Sequence, residues 1–270
     1  MAKGYRSRES WWLKLERAEE YFRDLTDEVL RYTNTHPYEA VRVAPPKEES
    51  HLWLYHLRIT DQPDPRVALI AGDLAHNIRT IFDHLAVAVT GQRDASFPVC
   101  YEDPWETLGD GSLRPEREKA RASFESKLNG ASHDAVALVR ALQPYSAGEE
   151  WASHPLGIIN KLDNADKHRN IIPTTIGVSD GVSYVARRNG VQFIFYWPFC
   201  NDGAEVAKFG WKEGAQPPPE TEVKVHVRGT PRIAVEISDR KGYAELTQAL
   251  RHALDEAPAV IEALEGFIKP

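Results

Sequence analysis

Cysteine is scarce in this chain: of 270 residues only Cys100 and Cys200 are cysteines, far apart and without a CxxC spacing. A disulfide framework and a cysteine-built zinc site are thereby excluded. Positive charge is not in excess either. Against 33 Lys and Arg stand 40 Asp and Glu, for a net charge of -7 and a pI near 5.8. Coating of nucleic acid or anionic membrane by bulk electrostatics is excluded, although a local basic cleft is not. No apolar run reaches membrane-spanning length, and the amino-terminal MAKGYRSRESWW has no apolar signal core. The chain is expected in the cytoplasm, with no membrane partner. Also missing are the GxGxxG and P-loop phosphate cradles, the G-x-S-x-G nucleophile turn and the H-E-x-x-H metal pair. No cofactor is expected.

What is there is ordinary globular material, 42% hydrophobic and 27% charged, in a chain long enough to bury a core. Trp11, Leu15, Ala18, Phe22, Leu25, Val29 and Tyr32 recur every three or four positions, one helical seam that stops before His36-Pro37. The proline-bearing stretch from Pro37 to Pro65 reads as a loop, with HLWLYHLRI as one short ordered element. Asp64-Pro65 opens a second helix that ends near Gly91. A third helical region, broken near Asn129-Gly130, lies between Pro115 and Leu142, and a fourth, with Ser153 as its cap and Pro155 in its first turn, runs to about Arg169. The period then changes to two. VSYVARR and VQFIFYW flank Asn189-Gly190, a hairpin signal. Val223, Val225 and Val227, then Ile233, Val235 and Ile237 beyond Gly229-Thr230-Pro231, read as a second pair of strands. Pro217-Pro218-Pro219 marks a loop between the hairpins, and Tyr243 to Ile268 forms a last helix kinked at Pro258. The fold class is α+β: a helical bundle with an inserted antiparallel β-sheet and a long C-terminal helix. Residues 1–170 form the bundle, 171–240 the β-unit, and 241–270 a helix that packs back on the bundle.

On a helical wheel the second helix separates Ile70, Leu74, Ile78, Ile81, Leu85 and Val89 from Asp73, His76, Asn77, Thr80, Asp83 and His84, with Arg79 at the edge. A merely solvated face favours Lys, Glu and Gln. This stripe has none of them, only poor helix formers that need another reason to be there. In the fourth helix Asp166 projects between Ile159 and Leu162, where a buried carboxylate needs a partner, and Arg79 is expected to pair with it. Lys167, His168 and Arg169 fall in the last turn, where positive charge suits the helix dipole.

RTIFDHLA, then FPV at Phe97–Val99, QPY at Gln143–Tyr145 and LDNADKHRN together resemble a family of bacterial proteins with an R-x-x-x-D-H-L helix and a D-K-H-R helix end. That resemblance brings no assigned activity. More distantly, Arg79 and His84 resemble the R-x4-6-H signature of the HEPN superfamily, with residues 66–170 as the HEPN-like core. Many HEPN proteins are metal-independent ribonucleases in toxin–antitoxin and phage-defence systems, with active sites formed across a homodimer. The resemblance implies a homodimer that cleaves RNA, as a toxin or a phage-defence effector. Arg79 would hold the phosphate, His84 would act as base or acid, and Asp83 and His76 would orient it. Asn77, Thr80, Lys167, His168 and Arg169 would bind substrate. Two other readings remain open from the residues. Asp73, His76, Asp83, His84 and Asp163 offer a divalent-metal site for a helical-bundle hydrolase. Alternatively the stripe is a buried polar seam in a non-catalytic dimeric sensor or binding module.

Overall fold

The computed structural model describes residues 9–44, 46–47, 51–168, 174–187, 190–211, 216, 219, 223–238 and 242–268. The fold is α+β, with antiparallel sheets and a C-terminal helix. The chain clusters into two compact units. One is mainly helical and comprises Met1–Asp27, Pro65–Ile172 and Val235–Pro270; the other, Glu28–Asp64 and Pro173–Ala234, is mainly strand.

In the helical unit α1 (Ser10–Thr33) presents Trp11, Leu15, Ala18 and Leu25 to the core. The α2 helix (Pro65–Thr90) packs against α5 (Pro155–His168) and α6 (Leu246–Glu265). It ends where Gly91 takes φ 72° and donates to the Val87 carbonyl, the left-handed terminus glycine favours. Between them, α3 (Glu118–Lys127) and α4 (His133–Ala141) are separated at Gly130, with φ 94°. Ser132 caps α4 by accepting from the Ala135 amide at 3.2 Å. His154, rather than Ser153, is the cap of α5: its carbonyl accepts from Ile158, and Ser153 belongs to the preceding 3-10 turn, Pro144–Ser153. The α6 helix continues through Pro258 and is capped by Glu245, whose carboxylate accepts from the Thr247 and Gln248 amides. Trp11 and Trp12 both donate to Glu265 Oε1 at 2.7 Å, tying α1 to α6. No helix among the described residues is long and apolar enough to cross a membrane.

In the other unit the stretch expected as a loop holds two strands. β1 (Tyr38–Val43) pairs antiparallel with β2 (Leu52–Ile59), Tyr38 opposite Ile59 and Val43 opposite Leu54. A further strand, β5 (Glu205–Gly210), which alternation alone did not mark, completes the sheet in the order β1-β2-β5. β2 is the central strand, with Trp53, Tyr55 and Leu57 buried on one face; Leu52 and Leu54 add apolar residues on the other, which makes the run near-continuous. The second sheet has the order β4-β3-β6-β7, from β3 (Thr174–Arg187), β4 (Gly190–Cys200), β6 (Val223–Ser238) and β7 (Gly242–Glu245); β7 and the end of β6, from Val235, belong to the first unit. β3 and β4 form the expected hairpin, Arg187 opposite Gly190; its turn residue Asn189 lies outside the described residues, as do Pro217 and Pro218. Gly229-Thr230-Pro231 is not a turn. β6 runs straight through it along β3, and the mismatch is taken up by register shifts at Thr175/Gly177 and Ser179/Val182. Tyr38, Trp53, Leu57, Val178, Val206 and Phe209 are the centre of this unit's core.

A polar staple and a histidine–aspartate pair on the second helix

The apolar side of α2 is as expected: Ile70, Leu74, Ile78, Ile81, Leu85 and Val89 are all buried. The polar stripe is not one surface. Asn77 and Arg79 are buried, Asp73 and His76 are exposed, and Thr80, Asp83 and His84 lie between. Two separate constellations result.

The first is a staple around residues 97–100, which belong to neither helix nor strand and whose backbone groups need partners from elsewhere. Arg79 Nη2 donates to the Phe97 carbonyl at 2.6 Å and lies 3.0 Å from Asp83 Oδ1, which in turn accepts from the Phe97 amide at 2.8 Å. Both backbone groups of Phe97 are thus held by residues one turn apart on α2. Gln143, fully buried, does the same one step on. Its Oε1 accepts from the Cys100 amide at 2.8 Å, and its Nε2 donates to the carbonyls of Pro98 (3.1 Å) and Val139 (3.0 Å). The R-x-x-x-D, FPV and QPY motifs therefore meet in space as one backbone-fixing network. Asn77 is also structural, donating to the Asp73 carbonyl and accepting from Lys14 Nζ at 3.1 Å.

The expected Arg79–Asp166 pair does not form. Asp166 is exposed, and its carboxylate lies over Gly72, where an added Cβ would stand 2.3 Å from Oδ1. Gly72 precedes Arg79 by seven residues, about 10 Å along the helix. The α5 helix meets α2 there, and Asp83 satisfies Arg79 instead. Arg79 and His84 do not converge within the chain, since five residues set them about 140° apart around a helix. Arg79 Nη1 and His84 Nδ1 are both enclosed without a hydrogen bond among the described residues.

The second constellation joins α2 to α5. His76 Nδ1 is 2.9 Å from Oδ1 of Asp163, a carboxylate only 2% exposed, and Lys167 Nζ is 2.6 Å from its other oxygen. The ring of His76 is half exposed, and its Nε2 has no hydrogen bond among the described residues. An ionised carboxylate can only accept, so it places the proton on Nδ1 and leaves the Nε2 lone pair outward. Thr80 donates back to the His76 carbonyl at 2.7 Å. One turn earlier on α5, Asn160 Nδ2 donates to the Tyr101 hydroxyl at 3.2 Å, and that hydroxyl donates to the Gly157 carbonyl at 3.0 Å. Burial raises the Tyr101 phenol above its ordinary value, opposed by the Asn160 bond and the charge of Arg79. His168 closes α5, and Arg169 lies outside the described residues. Of the five residues offered as metal ligands only His76 and Asp163 come together. No three His, Cys, Asp or Glu side chains among the described residues are placed to share an ion.

The Asp163 partnership with His76 was not foreseen as an orienting pair. The available signal was Asp163 itself, a carboxylate beside Leu162 on the buried side of its helix. Comparison with known proteins adds no family to this geometry: no family model, no curated protein and no solved structure matches the chain.

Proposed function

We propose that the chain is a cytoplasmic, metal-independent endoribonuclease whose proton acceptor is His76. The observation that carries this reading is a half-exposed imidazole fixed through Nδ1 by a buried carboxylate, with a lysine ammonium on that carboxylate's other oxygen. An imidazole held in one orientation is suited to take a proton from a ribose 2′-hydroxyl. The freed 2′-oxygen attacks the adjacent phosphorus and the 5′-oxygen leaves, taking a proton from the imidazolium or from water. Lys167 offers the charge that offsets the pentacoordinate phosphate. Asp163 does not touch substrate; it positions His76 and stabilises its protonated form, as carboxylates do in histidine-centred triads. Arg79, Asp83 and Asn77 act inside the fold, as a packed polar seam would, and His84 carries no step. All three proposed site residues come from one chain, so the chemistry does not require a two-fold axis.

The test is cleavage of single-stranded RNA in the presence of chelator. Products should end in 2′,3′-cyclic phosphate. His76→Ala, assayed well below its own melting transition, should lower the rate by about 10²–10⁴, and Asp163→Asn should lower it while shifting the pH–rate profile. Cleavage that persists in His76→Ala, or the absence of any cleavage by the parent, sinks this reading.

A further inference from the structure

A cavity of about 310 Å³ opens in the helical unit between α2, the end of α4, the start of α5 and the second half of α6, and none of His76, Asp163 or Lys167 lines it. Its volume is twice the roughly 150 Å³ of the engineered cavity that takes up benzene, which is room for two fused rings. On one side stand Phe82 and Phe97, their rings 5.2 Å apart and tilted by 49°. Leu142, Leu156 and Val260 contribute further apolar wall. Two polar side chains are among its lining residues. His154 is half-buried, and burial holds its imidazole below the ordinary value, so at neutral pH it presents no positive charge. Glu256 is exposed and so stands at the mouth, where its Oε1 is 3.0 Å from His252 Nε2.

The sign of charge on this wall selects the occupant. Glu256 is the one charged side chain among the described residues that line the cavity. An anion would face that carboxylate with no cation to offset it. A neutral molecule would gain apolar burial only. A cation gains the carboxylate as well. We propose that this cavity binds a small organic amine, with a bicyclic aromatic body against the half-buried apolar wall of Leu142 and Val260 and its ammonium at Glu256.

Isothermal titration of the full chain with tryptamine, tryptophol and indole-3-propionate tests the proposal, since the three share a ring system and differ in charge. Tryptamine should bind about tenfold tighter than indole-3-propionate, the combined size of one partly screened attraction to Glu256 gained and one repulsion avoided, with tryptophol between them. Glu256→Gln should erase that order. Ala259→Trp, on the exposed rim of the same wall, should block tryptamine while the melting temperature stays that of the parent. The proposal is overturned if none of the three compounds binds at millimolar concentration, if their order survives Glu256→Gln, or if Ala259→Trp binds as the parent does.

Discussion

Replacing Arg79 by methionine removes the guanidinium of the staple but keeps an apolar stem of similar reach. The buried, charge-assisted bond to the Phe97 carbonyl is lost; such bonds contribute about 1.5–3 kcal/mol. Asp83 loses its cation, and breaking a buried ion pair costs about 3–5 kcal/mol. Here the cost falls at or below the low end of that range, because the Asp83 side chain is 33% exposed and keeps the Phe97 amide. Much of the two losses is shared, so the expected destabilisation is about 3 kcal/mol. For a unit of this size that corresponds to a fall in melting temperature of roughly 6–12 °C, read by circular dichroism and confirmed by urea denaturation with an unchanged slope. RNA cleavage, measured well below the transition, should survive. A variant that melts within a degree of the parent yet loses all cleavage would refute the staple and return Arg79 to the role of a phosphate clamp. Asp166→Ala is the internal control. It removes an exposed carboxylate that does not pair with Arg79, and should shift stability by no more than about 0.5 kcal/mol.

Gln143→Leu keeps the volume but strands the Cys100 amide and the Pro98 carbonyl, and should destabilise by about 2–4 kcal/mol, with urea denaturation as the readout. His154 makes part of the stability pH-dependent. Burial, its largest cause, lowers the folded imidazole below 6.5, so as pH falls through 6.5 the unfolded chain binds the proton first. Stability should therefore be lost between pH 6.5 and the depressed folded value, with no contribution above 6.5. Melting curves of His154→Asn should lack that portion of the slope, and an identical acid profile in parent and variant counts against the assignment.

Periodicity was enough for the helices. The four-and-three spacing of Trp11 to Tyr32, the Asp64-Pro65 start and Gly91 end of α2, and the break at Gly130 all rest on local backbone rules that act within one element. The unusual composition of the α2 stripe was legible too, as a sign that its polar residues have partners. Which partners they have was decided by tertiary packing. Gly72 admits α5 so closely that Asp166 meets α2 two turns before Arg79, and Arg79 closes instead on Asp83 and the Phe97 carbonyl, contacts that join positions far apart in the chain. The strands at Tyr38–Val43 and Leu52–Ile59 escaped the pattern because Leu52 and Leu54 put apolar residues on the second face of β2 and blur its alternation. The His76–Asp163 pair is likewise invisible to spacing, since 87 residues separate its members and only the packing of α5 on α2 brings them to 2.9 Å.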